Sequence, residues 1–236
     1  MPDLPDPKSA GPLPGFTLIE LLAVIAIVAV AAAIAVPASA SARRRADNLL
    51  CLSQLRSLGQ GIRLNALENG GEFPRSFHSA GAHGQANWAA TTAPFLGITA
   101  EPGTAEWTAA VNKMFRCPSD RTRDPWMFSY GLNVFFELDP SGDDYAGSPA
   151  TWRRPEAVPK PARTILLAES RPVAFGDHLM CHQWSSVTAA RNALDSTRHG
   201  KTSNFLFVDG HAESLGMQAT FDPPAGINLW NPSLAR

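Results

Sequence analysis

The sequence is poor in charge and in cysteine. Of 236 residues, Asp, Glu, Lys and Arg make up 17%, and acids and bases nearly cancel to a net charge of −1. Such a chain lacks the basic field on which nucleic-acid binding depends, and no nucleic-acid partner is expected. Three cysteines are too few for a disulfide scaffold, although they suffice for one bridge and a spare thiol. There is no internal repeat, no Cys-x-x-Cys, no His-Glu-x-x-His and no nucleophile elbow, so no motif marks an enzyme. Glycine and proline, by contrast, are in excess at 18 and 20 residues, against a usual combined share of about 12%. Most lie beyond residue 70, which predicts a loop-rich head. The length suits one domain of ordinary size plus an N-terminal helix.

The long apolar run is what the chain does have. From Phe16 to Val36 only Thr17 and Glu20 are polar. As a helix rising about 1.5 Å per residue, this stretch is about 31 Å long and matches a hydrocarbon core of about 30 Å. A buried core helix is the alternative, and the unbroken Ala, Ile, Leu and Val opposes it. A cleaved secretory signal is another, since Ala38-Ser39-Ala40 has the small-residue pattern of a signal-peptidase site. Three features oppose that reading. The run exceeds the roughly 7–15 residues of a signal core. Asp3, Asp6 and Lys8 precede it in place of a basic segment. Glu20 lies inside it, where a carboxylate costs about 2.5–3.5 kcal/mol, and a disposable signal gains nothing from that charge.

Gly15-Phe16-Thr17-Leu18-Ile19-Glu20, followed by Leu21-Leu22-Ala23-Val24-Ile25-Ala26-Ile27, resembles the N-terminus of type IV pilins and type II secretion pseudopilins. The resemblance implies a leader over residues 1–15, cut after Gly15 by a prepilin peptidase, and N-methylation of the new terminus Phe16. It implies a transmembrane helix over 16–36, an extramembrane continuation over 37–69 bending at Pro37, and a globular head over 70–236. Glu20 takes the family's acidic position, where it pairs with the terminal amine of a neighbouring subunit during assembly; neutralisation or snorkelling is the simpler alternative. The implied partners are the peptidase, other pilin or pseudopilin subunits and membrane lipids. The implied location is the bacterial inner membrane, N-terminus cytoplasmic and head extracytoplasmic. Two features depart from the pattern. The leader ends Pro14-Gly15 rather than in a basic residue plus Gly, and Arg43, Arg44 and Arg45 follow the span on the side the family places outside.

Beyond Pro37, Cys51, Leu55, Leu58 and Ile62 form one apolar helical stripe. Asn69-Gly70-Gly71 closes the pattern with C-cap chemistry. Met127–Phe136, Thr164–Ala168 and Ser203–Val208 read as strands. Asp209-Gly210 then signals a hairpin into His211–Leu215 through two turn residues of positive φ. Residues 70–126 and 137–162 read as long loops with short elements. The predicted fold is α+β and pilin-like, with an antiparallel sheet packed on the long helix.

Arg198-His199-Gly200, with nine residues from Gly200 to Val208 before Asp209-Gly210-His211, resembles the H-X9-DG segment of a pilin-like family. The segments around Cys51, Cys117, Tyr130 and Ile165 resemble the same family in the same order. Cys51 and Cys117 both sit in those matching segments. A disulfide between them would pin the helix to the head and contribute about 4–5 kcal/mol, with two buried free thiols as the alternative; Cys181 is left unpaired. His178, His182, His199, Asp209 and His211 are weak candidates for zinc or calcium, and no cofactor is otherwise expected. Ser185 and Ser186 near His182 lack the surroundings of a nucleophile. The six tryptophans read as core rather than as a sugar platform. The resulting expectation is a non-enzymatic pseudopilin or minor pilin. A membrane-tethered ligand- or metal-binding module that does not polymerise is the alternative.

Overall fold

The computed structural model describes residues 15–121, 128–139, 142–143, 152–171 and 176–235. The leader before Gly15, Met127 at the expected start of the first strand, and Trp126 lie outside them. The chain divides into two compact units, one ending at Arg43 and the other spanning Arg44–Arg236.

Helix α1 runs from Leu18 to Glu68 and includes Pro37. Proline cannot donate to the carbonyl four residues back, yet the helical run continues through it. In the first unit the apolar side chains stay exposed, Leu18, Ile19, Ile27 and Ile34 among them. This segment is long and apolar enough to cross a membrane, and none of its most apolar stretch is buried within the chain. The helix ends as the sequence predicts. Gly70 and Gly71 take positive φ of 72° and 78°, and the Gly71 amide donates to Ala66 O at 2.7 Å.

In the second unit the predicted stripe is fully buried: Cys51, Leu55, Leu58 and Ile62 are all 0% exposed. They pack on one face of a five-stranded sheet. Along the chain come α2 (Phe77–Ala82), α3 (Trp88–Thr92), α4 (Ala105–Met114), β1 (Tyr130–Asn133), β2 (Leu138–Asp139), β3 (Gly142–Asp143), β4 (Ile165–Glu169) and β5 (His178–Leu179). These are followed by α5 (Val187–Ala193), β6 (Ser203–Phe207), β7 (Ala212–Leu215), α6 (Met217–Thr220), β8 (Phe221–Asp222) and β9 (Ile227–Asn228). The sheet order is β5-β1-β4-β6-β7. Strand alternation, interrupted in β4 by a register shift between Ile165 and Leu167, divides the side chains between two cores. Tyr130, Leu132, Leu167 and Leu206 meet α1, with Trp88 and Phe115 completing that core. Ile165, Phe205 and Phe207 face the other way, onto Leu194, Met217 and Trp230.

The sheet differs from the expected antiparallel one at a single edge, where β5 pairs parallel with β1. A two-residue strand reached from a loop carries no periodicity for a sequence reading to detect. Gly131 makes the pairing possible, because a Cβ there would lie 2.9 Å from Leu179 Cγ. The β6–β7 hairpin is present, but its loop is Val208-Asp209-Gly210, one residue longer than the two-residue turn expected. The Phe207 amide bonds His211 O at 2.9 Å, and Gly210 carries a positive φ of 96°. This is the three-residue loop that places glycine at its last position.

Candidate functional site

The start of α1 holds the first candidate. Thr17 precedes the first helical residue, and its hydroxyl accepts from the Glu20 amide at 3.3 Å. Glu20 Oε2 in turn accepts from the Thr17 amide at 2.9 Å and from the Thr17 hydroxyl at 2.7 Å. This reciprocal pair is a capping box, which satisfies donors that a helix start otherwise leaves open. The Thr-x-x-Glu spacing was legible in the sequence and adds a local role for Glu20 that the resemblance does not include. Phe16 beside it is 76% exposed, and Gly15 has open space around its Cα.

The second candidate lies inside the head, where four distant segments bring together Cys51, Cys117, Glu169 and His199. One ligand-type atom from each lies within 4.8 Å of all the others. Cys51 comes from the buried stripe of α1. Cys117 sits in the turn after α4, closed by the Asp120 amide on Cys117 O at 2.9 Å. Glu169 ends β4 on the face that carries Leu167, opposite Tyr130 in the register. His199 precedes β6 in a turn where Gly200 takes a positive φ of 89°.

The contacts are short and mutual. Cys51 Sγ donates to Glu169 Oε1 at 3.1 Å, and His199 Nε2 lies 2.9 Å from the same oxygen. His199 Nε2 also lies 3.4 Å from Cys117 Sγ. The other carboxylate oxygen accepts from the Asn204 amide at 2.8 Å and from Ser203 Oγ at 3.1 Å. Around this group, the Tyr130 hydroxyl lies 3.1 Å from Cys51 Sγ and donates to Gln54 Oε1 at 3.0 Å. The Arg198 guanidinium stands 3.6 Å from Glu169 Oε1. It is held by Ser129 O at 3.0 Å, Ser170 O at 2.8 Å and Asp195 Oδ2 at 3.1 Å. The Glu169, His199 and Arg198 side chains are 0%, 3% and 2% exposed, so water contributes little screening.

Burial shapes the acid–base character of the group. It pushes the Cys51 thiol up, reinforced by the bond to Cys117 and the charge on Glu169. The bond from Cys51 brings Cys117 down to about 7, against burial and with help from His199. Burial lowers His199, but its bonds to Cys117 and Glu169 outweigh that and hold it at about 9. Burial raises Glu169, yet the His199 hydrogen bond and the Arg198 charge hold it below the ordinary carboxylate range. A negative pocket is thus balanced from two sides.

The sequence-predicted residues fare unevenly. Cys51 and Cys117 are brought together as expected, but they are free thiols rather than a disulfide; each sulfur has polar partners in the cluster instead. Cys181 is also free, and its Sγ donates to Asn133 Oδ1 at 2.8 Å. Of the five metal candidates only His199 belongs to the cluster. His178 pairs with Asp177 at 2.8 Å, and His182 packs on Phe135. Asp209 Oδ1 and His211 Nδ1 lie 2.6 Å apart within the hairpin, and the His211 ring stacks on Phe207. Ser186 caps α5 by accepting from the Ala189 amide at 3.2 Å. Trp88 and Trp230 are fully buried core residues. Glu169 was missed as a site residue, because one acid at a strand end has no local ligand spacing to reveal it.

Family models, curated proteins and solved structures yield no match to this chain.

Proposed function

We propose that this protein is a structural subunit, a pseudopilin or minor pilin, of a type IV pilus-like or type II secretion filament. The observation that carries the reading is α1 itself. Its first half exposes Ile, Leu and Val along its length and holds one carboxylate, Glu20, at the entry of the helix. Apolar surface on that scale requires a bilayer or other subunits as its solvent. The Gly15–Ile27 segment resembles a prepilin processing site, and the head supplies a packed extracytoplasmic domain. A prepilin peptidase then releases Phe16, whose amine on one subunit meets Glu20 of the next. That pairing offsets the cost of an intramembrane charge and sets the register between subunits.

Two substitutions separate this role from the capping box. Glu20→Ala abolishes crosslinked oligomers in the membrane fraction while the chain remains inserted. Thr17→Ala removes the cap, keeps the carboxylate and leaves oligomers in place. Oligomers that survive Glu20→Ala contradict the reading and favour the alternative of a tethered, non-polymerising binding module. The buried Cys, Glu and His cluster gives that alternative a specific feature.

A further inference from the structure

The cluster in the head has more polar chemistry than a hydrophobic core needs. Two thiols, a carboxylate and an imidazole converge from four segments where Leu or Val would pack without desolvation cost. A disulfide would use only two of the four, leaving Glu169 and His199 aimed at the same point. We propose that Cys51, Cys117, Glu169 and His199 form a four-ligand structural zinc site that fastens α1 to the sheet and to the turn after α4.

The geometry fits the ion. Zinc binds sulfur at about 2.3 Å and nitrogen or oxygen at about 2.0–2.2 Å. A tetrahedron of those bonds sets its ligand atoms roughly 3.3–3.8 Å apart. Here sulfur to nitrogen is 3.4 Å, sulfur to oxygen 3.1 Å and nitrogen to oxygen 2.9 Å. All four atoms fall within a 4.8 Å span. An entering ion therefore needs these pairs to open by a few tenths of an ångström. Two sulfur donors select zinc over calcium or magnesium, which prefer oxygen.

The electrostatics also fit. Two thiolates and one carboxylate carry three negative charges. A divalent ion and the neighbouring Arg198 guanidinium carry three positive ones. Binding is an exchange without redox change: the two thiol protons and any proton on His199 leave to solvent as the ion takes their place. The outer contacts that metal ligands require are present too. Ser203 Oγ and the Asn204 amide hold the second carboxylate oxygen, and Tyr130 reaches Cys51 Sγ. A groove of about 680 Å³ has Gln54 and Cys117 in its wall and offers a way in. With four protein ligands the site has no open position, so its role is structural rather than catalytic. The inference does not depend on the filament reading.

The test uses the full chain in detergent, purified without chelator. Elemental analysis is expected to give about one zinc per chain. After removal of the metal, cobalt(II) added alone produces the intense visible bands of a tetrahedral site together with thiolate-to-metal charge transfer, and zinc then bleaches both. Cys117→Ser and His199→Gln weaken cobalt binding at least tenfold, whereas Cys181→Ser leaves the bands unchanged. Because the first two variants risk misfolding, the wild-type cobalt spectrum decides the matter. Three titratable thiols with no cobalt band would overturn the proposal. So would a Cys51–Cys117 linked peptide pair recovered from the native membrane fraction.

Discussion

The two units of this chain obey the same physical rules with different partners. In the second, apolar side chains are buried and charges are paired inside the fold. Leu55, Leu58 and Ile62 meet the sheet, and Arg198 is enclosed by carboxylates and carbonyls. In the first, apolar side chains face outward and the acid at the helix entry is satisfied by its own first turn. The head completes itself, while the N-terminal segment needs surroundings that the chain does not supply. That contrast separates a folded domain from a helical segment long and apolar enough to cross a membrane.

The sharpest way to break the comparison is to remove a charge from each side of it. Arg198→Met strips Glu169 of its guanidinium partner, leaves Ser170 O without its side-chain donor, and leaves Ser129 O with the Ser170 amide alone. It is expected to cost about 3–5 kcal/mol of head stability, read from the denaturant midpoint of the detergent-solubilised chain. Arg43→Met, at an exposed position in the first unit, shifts the same midpoint by no more than about 0.5 kcal/mol. Apolar truncations repeat the contrast at slightly smaller scale. Leu58→Ala costs about 2–5 kcal/mol, whereas Val28→Ala in the exposed segment leaves the head's midpoint where it was. Equal effects from Leu58 and Val28 would contradict the division into two units.

Smaller effects sharpen the picture at single groups. Thr17→Ala removes the capping hydroxyl and costs about 1 kcal/mol of local helix stability. The check is faster hydrogen exchange at the Glu20 amide with no change in the head. The smallest effect depends on pH. Burial raises the Glu137 carboxyl above its ordinary 4.5, against the bonds from Ser76 and the charge of Arg153. Its contribution to stability is therefore full below pH 4.5 and declines as pH rises through the raised value. Glu137→Gln flattens that decline in a thermal-unfolding series taken on both sides of pH 4.5. An unchanged slope would show that Ser76 and Arg153 prevail over burial.

Much of the fold was legible because it rests on short-range pattern. The Cys51–Ile62 stripe, the Asn69-Gly70-Gly71 stop and the apolar segments of β4 and β6 follow from spacing and turn chemistry. What escaped was set by long-range contact. The parallel pairing of β5 depends on space left by Gly131. The hairpin's extra loop residue depends on the register of β6 against β7. The cluster was half legible: Cys51 and Cys117 were singled out as a pair and His199 apart from them, but nothing local ties His199 or Glu169 to that pair. Residues drawn one from each of four segments leave no spacing to read. At the other end of the chain, Thr17 and Glu20 stand three residues apart, and their pairing was there to be seen.

The filament role depends most on the processing of the N-terminal segment. Intact mass and terminal-peptide mass spectrometry of the membrane fraction address it directly. The expected mature chain begins at N-methylated Phe16 and retains Glu20. A chain beginning near Ser41 would contradict it, because the apolar segment and Glu20 would then be absent from the mature protein.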